Sequence, residues 1–223
     1  MKNIAFIINP IAGTVNKKKL PKQISALLDK DQWLENIVFT EYPGHATELA
    51  RQFAQMSFDA VVAVGGDAMV NEVAAGLRDT ETALGVLPMG EHNYFARHIG
   101  VSTRLARAME IINRSEPIRV DYAMSDGQVF VTYIALPTAT RIVTEGVDQA
   151  VEGVLIANAK PKEDFAAIVG KISIQDGQLD VASFVHRSFI VRSKHTICVH
   201  TPEGEKHIQI IADGLHVLAE KRF

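Results

Sequence analysis

The chain has 223 residues, enough for one large domain or two modest ones with real cores. Hydrophobic residues make up 47% and charged residues 22%, with a formal net charge of −3, an ordinary globular composition that excludes any global electrostatic case for nucleic acid. No apolar run approaches the roughly 18 residues of a membrane span, and the single cysteine, Cys198, excludes an internal disulfide and any Cys-based metal cluster.

The opening stretch, MKNIAFIINPIAG, reads as a strand running into a turn. It is not read as a signal peptide, because its apolar part is short and it has no small-residue cleavage site, so a cytoplasmic location is expected. Asn3–Ile8 is the continuous apolar run of a buried parallel strand and ends in the breaker-rich loop Asn9-Pro10-Ile11-Ala12-Gly13. A helix follows, with Leu20, Ile24, Leu27 and Leu28 on one side. Lys17, Lys18 and Lys19 near its start could attract phosphate, although a charge run is more often a solvated face. Trp33–Thr40 reads as a second strand, and His45–Met56 as an amphipathic helix with Ala46, Leu49, Ala50, Phe53 and Ala54 on one face.

Ala60–Val64 is then a buried strand that empties through Gly65-Gly66-Asp67 into a helix opening near Ala68. Val70, Val73, Ala74 and Leu77 give that helix one apolar face. Such a turn is a ready phosphate seat: glycines admit positive φ, backbone N–H groups can approach an anion, and the helix dipole favours negative charge. Asp67 fits there if a divalent cation bridges it to phosphate, or if it positions a proton or a ribose hydroxyl. Alternatively, it caps its own helix. Ala83–Leu87 is a fourth strand ending in Pro88-Met89-Gly90, and Ser102 can cap a helix carrying Leu105, Ala108, Met109 and Ile112.

To about Ser115 this alternation predicts a parallel α/β domain over residues 1–115. Its Gly-, Pro-, Asn- and Asp-rich loops follow strands, and such loops converge at one sheet edge, where α/β ligands bind. From Glu116 the pattern changes to short strands: Ile118–Ala123, Val129–Leu136, Lys171–Ile174, Leu179–Val185, His195–Thr201, Lys206–Ile211 and Leu215–Glu220. The pairs Asp126-Gly127, Asp176-Gly177, Glu203-Gly204 and Asp213-Gly214 read as turns between several of them. Residues 116–223 are therefore expected to form an all-β, sandwich-like domain, with Pro137–Gly170 its least readable part. An edge strand of that domain offers a route to a homodimer. His92 beside Glu91 has no second histidine at ligand spacing. His195, His200 and His207 lie in expected strands, and His200 and His207 could meet across a hairpin, but none is assigned a role.

The matching residues, taken together, are Asn9-Pro10 with Gly13, Thr40, Gly65-Gly66-Asp67 with Asn71-Glu72-Val73, and Leu84–Gly90 with Asn93 and Phe95-Ala96-Arg97. Asp176-Gly177-Gln178-Leu179-Asp180 and Asp213-Gly214 complete the set. In this order they resemble the diacylglycerol kinase catalytic-domain family, which includes bacterial lipid kinases with sphingosine and ceramide kinases as cousins. NAD kinases are more distantly similar. The resemblance implies a kinase fold that binds ATP with Mg²⁺ and phosphorylates a lipid hydroxyl, diacylglycerol-like, at a membrane surface. By resemblance, the nucleotide site would draw on Asn9, Gly13, Thr40, Gly65, Gly66, Asp67, Asn71, Glu72, Gly90 and Glu91. Asp176 would hold a structural magnesium, with the backbone around Gln178 assisting, and catalytic positions would fall at Asp67 and Asp213, the proton acceptor being the acid that follows Asp213-Gly214.

The sequence departs from that family at several of these places. The family's Gly-Gly-Asp-Gly-Thr is Gly65-Gly66-Asp67-Ala68-Met69 here. Ala68 would cost about 1 kcal/mol if the turn needs positive φ, and Met69 replaces a phosphate-binding hydroxyl. Glu91 stands where a threonine is expected and would repel phosphate unless a metal or proton intervenes. Tyr94 replaces an aspartate, and the family's Asp-Gly-Glu is Asp213-Gly214-Leu215. The β-domain also reads as shortened between Leu136 and Asp164. Two readings follow: a lipid kinase with impaired or lost turnover, or a non-catalytic relative, a pseudokinase, that binds nucleotide or a protein partner. Under the first, Asp67→Ala should abolish transfer and leave the fold intact.

Overall fold

The computed structural model describes residues 1–11, 17–161 and 167–219. By their contacts these fall into two units: Met1–Arg119 with the stretch from Leu215 onward, and Val120–Gly214.

The first unit is built on parallel strands. β1 (Lys2–Ile8) pairs with β2 (Trp33–Phe39) on one side and β3 (Ala60–Gly65) on the other, and β3 pairs with β4 (Ala83–Pro88). β1, β3 and β4 are apolar runs because their residues are covered on both faces: Ile4–Ile8, Ala60–Val64 and Leu84 are all fully buried. Between the strands lie α1 (Leu20–Leu27), α2 (His45–Gln55) and α3 (Asp67–Leu77). α4 (Tyr94–His98), which the sequence reading missed, and α5 (Leu105–Arg114) follow β4. α2 and α3 pack on one another, closely enough that a Cβ on Gly76 would lie 2.5 Å from the Thr47 carbonyl oxygen. α5 packs on β4 and is tied to the end of α1, where Asn113 accepts the Asp29 N–H and donates to the Leu27 carbonyl. Ser102 is not the cap residue of α5. That position is Arg104, whose N–H the Ser102 hydroxyl accepts two residues upstream.

The second unit consists of antiparallel strands. β5 (Pro117–Ser125) turns at Asp126-Gly127, both at positive φ, into β6 (Gln128–Phe130). The run expected as one strand over Val129–Leu136 then breaks. β7 (Tyr133–Leu136) pairs not with β5 but with β10, and the Thr132 carbonyl in the break accepts the N–H groups of Asn158 and Ala159. The unreadable segment holds β8 (Arg141–Thr144), β9 (Val147–Ala150) and β10 (Val154–Ala157). β11 (Leu179–Ser183) and β12 (Phe189–Ser193) complete the β12-β11-β10-β7 sheet. β13 (Ile197–Thr201) pairs with β8 and with β14 (Gly204–Leu218). Ile142, Ile197, Val199 and Ile208 from one sheet share a core with Val154, Ile156, Leu179 and Val181 from the other, which makes the unit sandwich-like. Lys171–Ile174 is not a strand. Ile172 is apolar because it packs with Val169 against Leu155, Ala157 and Ala182.

Asp213-Gly214 is not a turn either: β14 runs through it. Asp213 takes a left-handed φ of 52°, and Gly214 is small because a Cβ there would lie 2.5 Å from the Tyr122 ring. Beyond it, Leu215–Leu218 belongs to the first unit, where Val217 pairs in parallel with Leu84 of β4.

Candidate functional site

The carboxyl ends of β1, β2 and β3 lead into a cavity of about 220 Å³ lined by Asn9, Pro10 and Ile11, by Thr40–Pro43, and by Ala68, Met69 and Glu72 of α3. Three residues picked from the sequence, Asn9, Thr40 and Glu72, thus meet at one place although they come from separate stretches. The Asn9 side-chain oxygen accepts the Ile11 N–H at 3.0 Å and turns the chain out of β1. Thr40 donates its N–H to the Ile8 carbonyl. One Glu72 carboxylate oxygen accepts the N–H of Gly44, the left-handed cap residue of α2, at 3.1 Å, and the Glu72 carbonyl accepts the Thr47 hydroxyl. These bonds anchor the β2–α2 loop on α3. On the same loop, Tyr42 stacks on His45 at 4.4 Å and donates its hydroxyl to Glu48, a bond that raises the phenol's pKa.

The Gly65-Gly66-Asp67 turn has a different basis from the one expected. Neither glycine has positive φ; Gly66 is extended at φ −94°. Gly65 is required because the Met69 side chain lies over it, with Cβ and Cγ within 2.9 Å of where a side chain would begin. Gly66 faces Gly90, whose Cβ would fall 2.5 Å from the Gly66 Cα. The two loops after β3 and β4 therefore touch backbone to backbone. Ala68 lies inside α3 and not at positive φ, so the expected strain does not arise.

Asp67 fastens the same two loops. Its carboxylate oxygens accept the N–H groups of Tyr94 and Phe95, each at 3.0 Å, so it caps α4 and not its own helix. Asn93, left-handed and 4% exposed, closes the β4 loop by accepting the Gly90 N–H and donating to the Gly90 carbonyl. Asp67, Gly65, Gly66, Gly90 and Glu91 stand outside the cavity lining, and Glu91 is exposed. Asn71 is half-buried on α3, and Gly13 lies outside the described residues.

In the second unit, Asp176 is exposed and accepts the Gln178 N–H at 3.1 Å, while Gly177 takes φ 65°. A residue missed in the sequence connects this turn to Asp213. The carboxylate of Asp121, 1% exposed, accepts the Gly177 N–H at 2.7 Å and the Asp213 N–H at 2.9 Å. Burial pushes its pKa up, the two N–H bonds pull it down, and Asp213 and Asp176 push it up again. The available signal was an aspartate inside the apolar run Val120-Asp121-Tyr122-Ala123. Burial also raises Asp180, against the opposing Arg192 guanidinium at 2.7 Å. Among the described residues, Asp176 gathers no pair of further Asp, Glu, His or Cys ligand atoms within 4.8 Å, so a cation there would rely on neutral oxygens and water beside the one carboxylate. Leu215, at the position of the expected acid, is 1% exposed.

An α/β unit with its loops gathered at the carboxyl edge of a parallel sheet, followed by a β-sandwich, is the fold of bacterial lipid kinases. A solved diacylglycerol kinase structure from Bacillus anthracis superposes with a TM-score of 0.83 at 20% identity, covering 99% of this chain and 97% of that one. The diacylglycerol kinase catalytic domain model matches residues 3–125. The chain belongs to the diacylglycerol kinase catalytic-domain family. It is 31% identical over 134 residues to a diacylglycerol kinase of Bacillus subtilis, covering 59% of this chain and 44% of that protein. Against a diacylglycerol kinase of Staphylococcus saprophyticus it is 28% identical over 146 residues, covering 65% and 48%. The matched stretch thus spans about half the length of these relatives. Among the described residues, no helix is long and apolar enough to cross a membrane.

Proposed function

We propose that the chain is a lipid-kinase-family protein that binds ATP with Mg²⁺ at the Asn9–Thr40–Glu72 cavity and whose phosphoryl transfer to a lipid hydroxyl is impaired or lost. The cavity carries the nucleotide half of this reading. Pro10, Ile11, Pro43 and Met69 give it apolar walls suited to a base, and Glu41 and Glu72 can accept ribose hydroxyls. At about 220 Å³ it is smaller than the roughly 300–1,000 Å³ of drug-sized ligand pockets, so it would take part of a nucleotide, with the rest outside. Its lining contains two carboxylates and no lysine or arginine among the described residues, so phosphates near it need a cation. When bound, Mg²⁺ would supply the positive charge that offsets phosphates placed beside these carboxylates. The N-terminus of α3, opening at Asp67 beside the cavity, adds backbone donors.

Leu215 carries the impairment half. A buried leucine accepts no proton, and losing a general base costs about 10²–10⁴-fold in rate. Met69, packed on Gly65, offers phosphate no hydroxyl. The test is a calorimetric titration with ATP, with and without Mg²⁺, followed by labelled-phosphate transfer into diacylglycerol vesicles. Mg²⁺-dependent binding with transfer at least a hundredfold below an active family member is expected. No binding up to millimolar ATP would remove the nucleotide reading, and transfer at the active member's rate would remove the impairment.

A further inference from the structure

Strands β13 and β14 form a hairpin whose two faces differ in chemistry. In its antiparallel register Ile197 lies opposite Ile208, Cys198 opposite His207, Val199 opposite Lys206, and His200 opposite Glu205. Side chains two apart on a strand share a face, as do directly paired residues. Cys198, His200, Glu205 and His207 therefore stand together on one face. Ile197, Val199 and Ile208 point the other way, fully buried, and root the hairpin in the sandwich core. The chemical face is open: Cys198 and His200 are half-buried, and Glu205 and His207 are exposed.

Ligand atoms of Cys198, Glu205 and His207 all lie within 4.8 Å of one another. The His207 Nε2 is 4.0 Å from one Glu205 oxygen, and the His200 Nδ1 is 3.2 Å from the other. A tetrahedral metal with bonds of roughly 2.0–2.3 Å keeps its ligand atoms about 3.3–3.8 Å apart. The three groups need only a small rotamer adjustment to close on one ion.

We propose that Cys198, Glu205 and His207 form a binding site for a borderline divalent transition metal of the zinc type, with His200 holding the Glu205 carboxylate in place. One cysteine cannot build a thiolate cluster, but a mixed sulfur, nitrogen and oxygen set needs only one. Sulfur and imidazole select zinc-like ions over magnesium, so the site is separate from any Mg²⁺ that accompanies a nucleotide. Three protein ligands leave the fourth position to water. Burial first, and then the neighbouring Glu205 carboxylate, raise the Cys198 thiol's pKa, and a bound dication would reverse that preference. The thiol proton passes to solvent as the sulfur–metal bond forms, and the metal stays divalent throughout.

Zinc and cobalt(II) titrations of the chelator-stripped chain test the site, with cobalt reporting a bound thiolate through its near-ultraviolet charge-transfer band. One ion per chain and a thiolate band are expected. Cys198→Ser should abolish the band, and His207→Ala should weaken zinc binding at least tenfold, with circular dichroism unchanged in both. The bland alternative is that Glu205 simply pairs with two histidines. No uptake, or uptake whose affinity and spectrum are unchanged in both variants, would establish that alternative and overturn the site. Neither variant touches the nucleotide cavity, so this result stands independently of ATP binding.

Discussion

Asp67 is the residue whose role changed most between sequence and structure. Both of its oxygens are engaged in capping α4, so Asp67→Ala should not leave the fold untouched. It should lower stability by about 1–2 kcal/mol, read as an earlier urea midpoint, whatever it does to transfer. Asp121 allows a sharper test. Its pKa stands above the unfolded value, chiefly through burial, so the folded chain holds a proton after the unfolded chain has released it. Stability is thus fully favoured below the unfolded value near 3.9 and falls as pH rises through the higher folded value. Asp180, raised by the same cause, has the same sign. Asp121→Asn should flatten the slope of urea midpoint against pH above the ordinary carboxylate range. An unchanged slope would assign it to other groups. Asn9, Thr40 and Glu72 could be picked out of the sequence only through their resemblance to the family's motifs: Asn9 and Thr40 directly follow β1 and β2, whereas Glu72 lies inside α3. The partners of Asp67 and Asp121 could not, because they come from distant residues whose backbone N–H groups have no sequence signature.

Among the secondary elements, strands β1, β3 and β4 and the apolar face of α3 were visible because burial on both sides leaves long uninterrupted apolar runs. β8, β9 and β12 were not, since four- or five-residue strands with at most two buried positions each resemble loops. Asp213-Gly214 misled for a physical reason: glycine serves there to admit the Tyr122 ring, not to reverse the chain. Gly76 poses the same question inside α3. Helix propensity alone favours alanine by about 1 kcal/mol. The new methyl would stand 2.5 Å from the Thr47 carbonyl oxygen and 2.7 Å from the Ala50 Cβ, where only backbone movement gives relief. Gly76→Ala should therefore destabilise by about 1–3 kcal/mol in urea unfolding. A stabilised variant would mean that α2 and α3 can slide apart freely.

The two units are not consecutive in the chain: it leaves the first at Arg119 and returns at Leu215. A cut near Ser115 looked natural in the sequence because the strand pattern changes there. The return of Leu215–Leu218 was hidden, since a strand's parallel partner cannot be read from its own residues. Leu215, Val217 and Leu218 are each at most 2% exposed. Residues 1–119 alone should therefore give a poorly folded or associating fragment in circular dichroism and size-exclusion chromatography. The same fragment with residues 215–223 appended through a flexible linker should recover cooperative unfolding. Equal behaviour of the two fragments would show that the returning strand contributes nothing to the first unit.

The pairing of Val217 with Leu84 also sets an order of events during synthesis. A ribosome delivers β1 to β4 early, yet the strand that belongs beside β4 emerges only after the whole sandwich has been made. Throughout that interval β4 carries an unpaired backbone edge, the kind of surface on which nascent chains join one another. A premature stop codon anywhere in the sandwich would make that exposure permanent, so such products should be cleared by proteolysis even when every cavity residue is intact.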